Sequence, residues 1–457
     1  MSYQIGILGL GVMGRSLALN LHRNGIRVIG YDPAPRLDAS FPVTVSASVG
    51  ELVSGLESPR LILLMIPAGE AVDGAIHSLK AHLQKGDIII DGGNSFFMDT
   101  ERRVKSLEVD GISFIGMGVS GGESGALLGP SLMPGGAESA WDRIRPIFQS
   151  IAAKAPDGAP GLAWMGRGGA GHYVKMVHNG IEYADMQLIA EIYDLLHRGA
   201  GLSNGALAEI FAAWNEYELK SYLIEITANI LWRKDGEIDL VDVILDEAAQ
   251  KGTGKWASQN AFDVGAPIPT INAAVESRIL SSQKTERVAA AQVLGASAKF
   301  GGDPERLVQL AEQALYASKV TSYAQGFALL RLASAEYGWG LDLAAIARTW
   351  RAGCIIRAGL LEDVAAAFTR QPKLPNLLLD FVFRAAVLER QTAWRETAQA
   401  AIGLGIPMLA TTSALAYFDA YRSAVLPANL TQAQRDYFGA HTYRRIDMDG
   451  VFHTKWE

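Results

Sequence analysis

The sequence predicts an α/β + all-α protein: an N-terminal doubly wound parallel sheet, then a large all-helical domain, then a C-terminal tail. Three observations predict it. Short apolar runs alternate with helical periodicity over roughly the first third of the chain. A glycine turn of the form GxGxxG joins the first such run to the first helix. From about Ala170 to Ser423 the composition shifts to Ala, Leu, Glu, Gln and Arg at helical spacing, with few strand-like runs. The expected divisions are 1–176, 177–430 and 431–457.

Residues 4–8 read as a short apolar strand. Residues 9–14 are the glycine turn. A helix follows to about Arg23, with Met13, Leu17 and Leu21 on its apolar side and Asn24-Gly25 as its stop. Residues 27–31 are the second strand. Residues 61–66, 87–91 and 113–116 are further strands, punctuated by Pro67 and by Gly92-Gly93. Near-continuous apolar strands separated by helices imply a sheet covered on both faces. In the helical region, Pro267-Ile268-Pro269 and the stretch from Pro372 to Pro375 mark breaks. The tail is polar and aromatic and offers little apolar surface.

The chain has 457 residues, 49% of them hydrophobic, enough for two to four cored domains. Its net charge of −7 argues against a nucleic-acid partner. One cysteine, Cys354, permits no intramolecular disulfide and reads as a buried small apolar side chain. The start, MSYQIGILGLG, lacks the pattern of a signal peptide, and no apolar run approaches the ~20 residues that span a bilayer. No membrane partner and a cytoplasmic location are therefore expected.

Gly9-Leu10-Gly11-Val12-Met13-Gly14 has a strand before it, a helix after it, and Asp32 placed 18 residues beyond Gly14. That context predicts a Rossmann-type dinucleotide site. One glycine makes the turn, one admits the pyrophosphate and one packs the helix on the strand. The helix N-terminus offers free N–H groups to the phosphates. Asp32, at the end of the second strand, suits the adenosine ribose hydroxyl. An NADP site favours a nearby arginine, and the first cation after Asp32-Pro33-Ala34-Pro35 is Arg36.

The densest polar stretch runs from Gly168 to Tyr183. In a helix starting near His172, Lys175, His178, Asn179, Glu182 and Tyr183 fall within an arc of roughly 140°. Val174, Val177, Ile181, Ala184 and Leu188 form a separate apolar stripe. The polar set lacks the Glu/Lys/Gln mix of a solvated face and predicts a reactive site. Two glycine-rich loops, one at residues 91–95 with Asn94 and one at 119–125 with Ser120, Gly121 and Gly122, are candidates to line the same cleft. Lys251-Gly252-Thr253-Gly254-Lys255-Trp256 combines cations, a hydroxyl and glycines, as a phosphate contact does, without P-loop spacing. No metal site is expected, since neither HExxH nor a cysteine cluster is present.

Together the segments IGILGLGVMGRSLALN, DIIIDGGNSFF, GVSGGESGALLGPSLMPGG, GAGHYVKMVHNGIEYADMQLIAE, VDVILDEAAQKGTGKW, RAGCIIRAG and LPANLTQAQRDYFGAHTYRRID resemble the 6-phosphogluconate dehydrogenases nearly end to end. The resemblance implies oxidative decarboxylation of 6-phosphogluconate with NAD or NADP. It implies Lys175 as general base and Glu182 as general acid. It places Asn94, Ser120, Gly121, Gly122, His178, Asn179 and Tyr183 on the sugar acid, and Lys251, Thr253 and Arg278 on the substrate, chiefly its phosphate. Arg435 and His441 are implied to reach the partner's site in a homodimer. Gly9, Gly11, Val12, Met13, Gly14, Asp32, the turn Ile66-Pro67-Ala68 and Asn94 are implied at the cofactor.

Two positions depart from the family. Its common NADP pattern has Asn-Arg-(Ser/Thr) where this chain has Asp32-Pro33-Ala34, and many members carry a lysine where this chain has Pro67. Both point to NAD as the preferred cofactor. Two other readings compete. One is a related β-hydroxyacid dehydrogenase acting on a smaller acid, against which Lys251, Arg278 and the tail count. The other is a catalytically silent nucleotide-binding sensor, against which the Lys175/Glu182 pair counts.

Overall fold

A computed structural model describes residues 2–249, 252–295, 298 and 300–456. One sheet holds β1 (Ile5–Leu8), β2 (Val28–Tyr31), β3 (Thr44–Val45), β4 (Leu61–Leu64), β5 (Ile88–Asp91), β6 (Ser113–Ser120), β7 (Ser131–Gly136) and β8 (Gly166–Arg167). Their spatial order is β3-β2-β1-β4-β5-β6-β7-β8. Neighbours are parallel except β6 and β7. Packed on the sheet are α1 (Val12–Arg23), α2 (Val49–Ser54), α3 (Glu70–Lys80), α4 (Phe97–Glu108), α5 (Gly122–Leu128) and α6 (Trp141–Ile151).

The two faces of the sheet divide by residue parity. Ile5, Ile7, Leu61, Leu63, Ile88 and Ile90 pack with Leu17 and Leu21 of α1 and with Ile144 and Phe148 of α6. Leu8, Ile62, Leu64 and Ile89 pack with Leu52, Val72, Leu79 and Leu107 on the opposite face. Burial on both faces explains why these strands lack polar alternation. Strand order reverses at β1 and β4, where a doubly wound sheet opens a crevice at its carboxyl ends.

β6 is longer than expected. The predicted strand at 113–116 continues to Ser120, because β7 pairs along it from Ile115↔Gly136 to Ser120↔Ser131. The loop expected at 119–125 is therefore a strand end, a turn at Gly121 and the start of α5. β7 reads SLMPGG, and its proline and glycines hide a strand from sequence patterning.

α7 (Ala170–Asp194) runs unbroken through residues 176 and 177. It leaves the sheet and becomes the central helix of the second region. There follow α8 (Asn204–Trp214), α9 (Tyr222–Leu231), the small hairpin β9 (Lys234–Asp235) and β10 (Ile238–Asp239), α10 (Thr253–Asp263), α11 (Pro269–Ser281), α12 (Lys284–Leu294), α13 (Pro304–Tyr337), α14 (Leu343–Trp350), α15 (Leu360–Arg370), α16 (Phe381–Leu404) and α17 (Leu409–Tyr421). Pro269 and Pro304 open their helices, and Gly338 and Gly405 close theirs in the left-handed conformation. The stripe Val174, Val177, Ile181, Ala184 and Leu188 is wholly buried in this core. No helix among the described residues is long and apolar enough to cross a membrane.

α18 (Ala428–Gly439) opens the tail. The tail is not poor in apolar surface, as its sequence suggested. Leu430, Phe438, Ile446 and Val451 stand exposed along it, with no described element of the same chain covering that side.

Candidate active site

The GxGxxG turn shows three separate constraints. Gly9 has φ +100, and a Cβ on Gly14 would lie 1.9 Å from the Gly9 carbonyl. Those two positions are set by the turn and by helix packing. A Cβ on Gly11 would meet nothing within 4 Å. Open space therefore lies over the N-terminus of α1, whose N-cap is Gly11 and has no side-chain cap. Val12 is exposed and Met13 half-buried beside it. The unpaired N–H groups there fit a pyrophosphate. Across the switch point, Ile66 lies against Gly9, and Pro67 and Ala68 continue to the surface. The Asp32 carboxylate accepts from Leu10 N–H at 2.8 Å and from Ala34 N–H at 2.9 Å. It is thereby fixed at the end of β2 and left half-exposed, where a ribose hydroxyl fits.

α7 lies directly on the sheet because glycine leaves it room. A Cβ on Gly118 of β6 would fall 2.4 Å from Lys175 Cβ. That contact sets Lys175 at the carboxyl end of β6. Lys175 is 6% exposed, and burial pulls its pKa below the ordinary lysine value, against the opposing pull of Glu182. His178 Nδ1 lies 3.4 Å from Lys175 Nζ, 3.1 Å from Asn179 Oδ1 and 3.6 Å from Glu182 Oε2. His178 Nε2 lies 3.2 Å from Ser120 Oγ. Burial holds the imidazole well below its usual pKa, so it sits neutral in this cluster. Glu182 shifts the other way. Burial raises its carboxyl, and Lys175 and Arg278 only partly offset that.

Of the remaining predicted substrate residues, Asn179, Tyr183, Thr253 and Arg278 meet across α7, α10 and α11. Asn179 Nδ2 donates to Thr253 Oγ1 at 3.1 Å, in the first turn of α10. The Arg278 guanidinium of α11 lies 3.4 Å above the Tyr183 ring. Gly121 and Gly122 form the turn off β6, and beyond Gly122 there is open space. Asn94 stands exposed on the loop after β5. Lys251 lies outside the described residues. Arg435 and His441 are exposed on α18 and the turn beyond it. Arg435 bonds Gln432 at 3.1 Å, and His441 packs edge-on to Phe438. Among the described residues no hydrogen bond or ion pair joins either of them to the α7 cluster.

Several supports of the site were not read from the sequence. Asp91 ties down the Asn94 loop, accepting from Gly93 N–H at 3.0 Å and from Ser95 O–H at 2.6 Å. An acidic residue ending a buried strand before Gly-Gly was the available signal. Arg103 is 1% exposed and holds Asp73 and the Gly69 carbonyl, 3.6 Å from Asp91 Oδ2. It braces the loop after β4 against the loop after β5. Beneath the α7 face, Lys319 Nζ donates to Asp185 Oδ2 at 2.8 Å, and Tyr323 O–H donates to the same oxygen at 3.3 Å. These partners are more than a hundred residues apart, and no local pattern announces them.

The arrangement combines a crevice at the switch point of the sheet with a buried lysine, a partly buried glutamate and a group of polar side chains around them. Family models agree with that division. Residues 4–166 match the NAD binding domain of 6-phosphogluconate dehydrogenase, and residues 171–456 match its C-terminal domain. The decarboxylating 6-phosphogluconate dehydrogenase of Escherichia coli strain K12 is 52% identical over 468 aligned residues, covering 99% of each chain. The relative from Bacillus subtilis, named as NADP(+)-dependent and decarboxylating, is also 52% identical, over 464 aligned residues and 99% of each chain. The Plasmodium falciparum 6-phosphogluconate dehydrogenase, solved in apo form, with its cofactor NADP+ and with its substrate 6-phosphogluconate, superposes with a TM-score of 0.94. It is 42% identical, with 99% of this chain and 100% of that one covered. With fold, site and full-length likeness in agreement, the chain belongs to the decarboxylating 6-phosphogluconate dehydrogenases, NAD(P)-dependent oxidoreductases.

Proposed function

We propose that this chain oxidatively decarboxylates 6-phospho-D-gluconate to D-ribulose 5-phosphate and CO2, with NAD preferred over NADP. The observation that carries the reading is the pair Lys175 and Glu182. They share one face of α7, and burial shifts them in opposite directions, the amine towards its free base and the carboxyl towards its acid. A dinucleotide held at residues 9–14, Asp32 and residues 66–68 supplies the hydride acceptor. Lys175 takes the C3 hydroxyl proton as the hydride leaves C3. The resulting lysine ammonium then faces the C3 carbonyl oxygen. As the carboxylate departs as CO2, the bonding electrons move to that oxygen, which takes the proton back from Lys175 as an enediol. Glu182 protonates the carbon that becomes C1 of the product, and Lys175 recovers the hydroxyl proton.

Ser120, Gly121, Gly122, Asn94, His178, Asn179 and Tyr183 hold the sugar acid in this reading. Thr253 and Arg278, with Lys251, hold the phosphate. Residues 1–176 bind the dinucleotide, 177–430 form the substrate and dimer unit, and 431–457 reach the partner subunit. The homodimer is supported by the exposure of Arg435, His441 and the apolar residues around them. A cytoplasmic setting is supported by the single buried cysteine. NAD preference is supported by the Asp32 carboxylate, which accepts from a ribose hydroxyl and repels a 2′-phosphate. The test is direct. Purified protein given 6-phosphogluconate should release CO2 and reduced cofactor, with the higher kcat/KM for NAD. Absence of turnover with either cofactor in a folded sample overturns the reaction. A higher kcat/KM with NADP overturns the preference alone.

A further inference from the structure

Backbone strain in this chain is concentrated at one place. Among the described residues only Ala440 (φ 49) and Thr442 (φ 62) are non-glycine residues in the left-handed region. They bracket His441. Such conformers persist only where surrounding contacts over-determine them, and they gather where a side chain must be aimed.

The contacts that over-determine this turn converge on Asp436. Its side chain is fully buried, although the tail around it is open. The carboxylate accepts from Thr442 N–H at 2.9 Å, Thr454 N–H at 3.0 Å and Trp456 Nε1–H at 2.9 Å, and it meets His453 Nδ1 at 2.9 Å. Its carbonyl accepts from Ala440 N–H at 2.9 Å. Tyr443 and Phe452 exchange two backbone hydrogen bonds and close the loop between them. Gln432 completes the frame, donating to the Thr442 carbonyl and accepting from Arg435. The chain from 440 to 456 thus folds back on one carboxylate of α18, and Arg435 and His441 stand exposed on that frame.

We propose that Asp436 is a positioning residue for the reaction: it presets Arg435 and His441 as one rigid limb that meets the anionic substrate in the neighbouring subunit. The proposal rests on the reading that the tail serves that substrate. Fixing the limb before substrate arrives removes an ordering cost from binding. Asp436 is closed off from any ligand by its burial, so its loss should act through Arg435 and His441, on substrate binding and not on the cofactor.

The experiment measures KM and kcat for 6-phosphogluconate, and KM for the nicotinamide cofactor, in a double-mutant set. Asp436→Ala should raise KM for 6-phosphogluconate by roughly ten- to a hundredfold, the scale of a misplaced positioning group, with the cofactor KM unchanged. In an Arg435→Ala/His441→Ala background the same substitution should add nothing, since the groups it positions are gone. Asp436→Asn keeps one acceptor oxygen, should fall between wild type and Asp436→Ala, and carries the comparison if Asp436→Ala does not fold. An equal KM increase from Asp436→Asn in both backgrounds overturns the positioning role. No KM change in Arg435→Ala/His441→Ala itself overturns the reading of the tail on which the proposal stands. A normal KM in Asp436→Ala, beside a raised one in Arg435→Ala/His441→Ala, overturns the proposal and leaves that reading intact.

Discussion

α7 and the C-terminal tail each carry groups expected to meet the same substrate, and they support those groups in opposite ways. On α7, Lys175 and His178 are buried between the sheet and neighbouring helices, and Glu182 is half-buried beside them. Their surroundings change their protonation as well as their position. In the tail, Arg435 and His441 stand exposed, and the control proposed for them is of direction alone, through the buried carboxylate of Asp436. The difference follows from the chemistry asked of each. A general base and a general acid must have their pKa values brought towards neutrality, and burial does that. A phosphate or carboxylate contact needs a permanent charge in a fixed place, which an exposed arginine can provide on a preset frame.

The first way to break the comparison is at Lys175. Lys175→Met should lower kcat by about two to four orders of magnitude, the usual scale for losing a general base. Near-normal turnover in that variant would refute the role. In the wild type, kcat/KM should be bell-shaped in pH. It rises as Lys175 loses its proton, at a pH below the ordinary lysine range, because burial lowers that group. It falls as Glu182 loses its proton, at a pH above the ordinary carboxylate range, because burial raises that one. Glu182→Gln has no proton to lose there, so its residual activity should show the rising limb without the falling one.

A smaller effect is expected from the support beneath α7. Asp185 is 1% exposed, Oδ1 of its carboxylate has no hydrogen-bond partner among the described residues, and Lys319 answers Oδ2. Lys319→Met leaves a buried carboxylate without its cation, which should cost about 3–5 kcal/mol of stability. Denaturant unfolding measures it, and a loss below about 1 kcal/mol would show that the pair contributes little.

How much of this was legible depends on range. The glycine turn, the strands β1, β2, β4 and β5 and the two stripes of α7 follow from local pattern and were read at nearly their true bounds, whereas the two-residue β3 was not read and β6 was read only to residue 116. β7 was not, because Pro134 and its glycines carry no strand signal, and without β7 the end of β6 looked like a loop. The Asp185–Lys319 pair and the Arg103 brace join residues distant in sequence, so they exist only once the fold brings them together. Asp436 was visible as one acidic residue in a charged tail. Nothing in its neighbours tells that four groups fold back on its carboxylate.

The tail can be broken without touching stability. Arg435→Ala should lower kcat/KM for 6-phosphogluconate by roughly ten- to a hundredfold, equivalent to about 1.5–3 kcal/mol for a charge-assisted contact. Mixing then decides whose site it serves. Co-refolded Arg435→Ala and Lys175→Met chains should regain activity, because each heterodimer assembles one site from Lys175 of one chain and Arg435 of the other. Heterodimers that form yet gain nothing over the Arg435→Ala homodimer would place Arg435 in its own subunit's site, and an Arg435→Ala homodimer with full activity would remove it from the chemistry.

The smallest expected effect concerns a further carboxylate, Asp32, which shares features with both regions. Asp32, like Asp436, is fixed by main-chain N–H groups, those of Leu10 and Ala34. Unlike Asp436 it is half-exposed, so a ligand can reach it. Its charge is therefore available for discrimination, but solvent screens it, and the repulsion of a 2′-phosphate is weakened accordingly. Replacing Asp32→Asn together with Pro33→Arg removes the repulsion and adds a cation. The ratio of kcat/KM for NADP over NAD should rise by about tenfold, which corresponds to about 1.4 kcal/mol. The same change should be larger at low salt, since an exposed charge is screened less there. A ratio that stays put at every ionic strength would mean that Asp32 holds the turn after β2 and leaves the choice of cofactor to other groups.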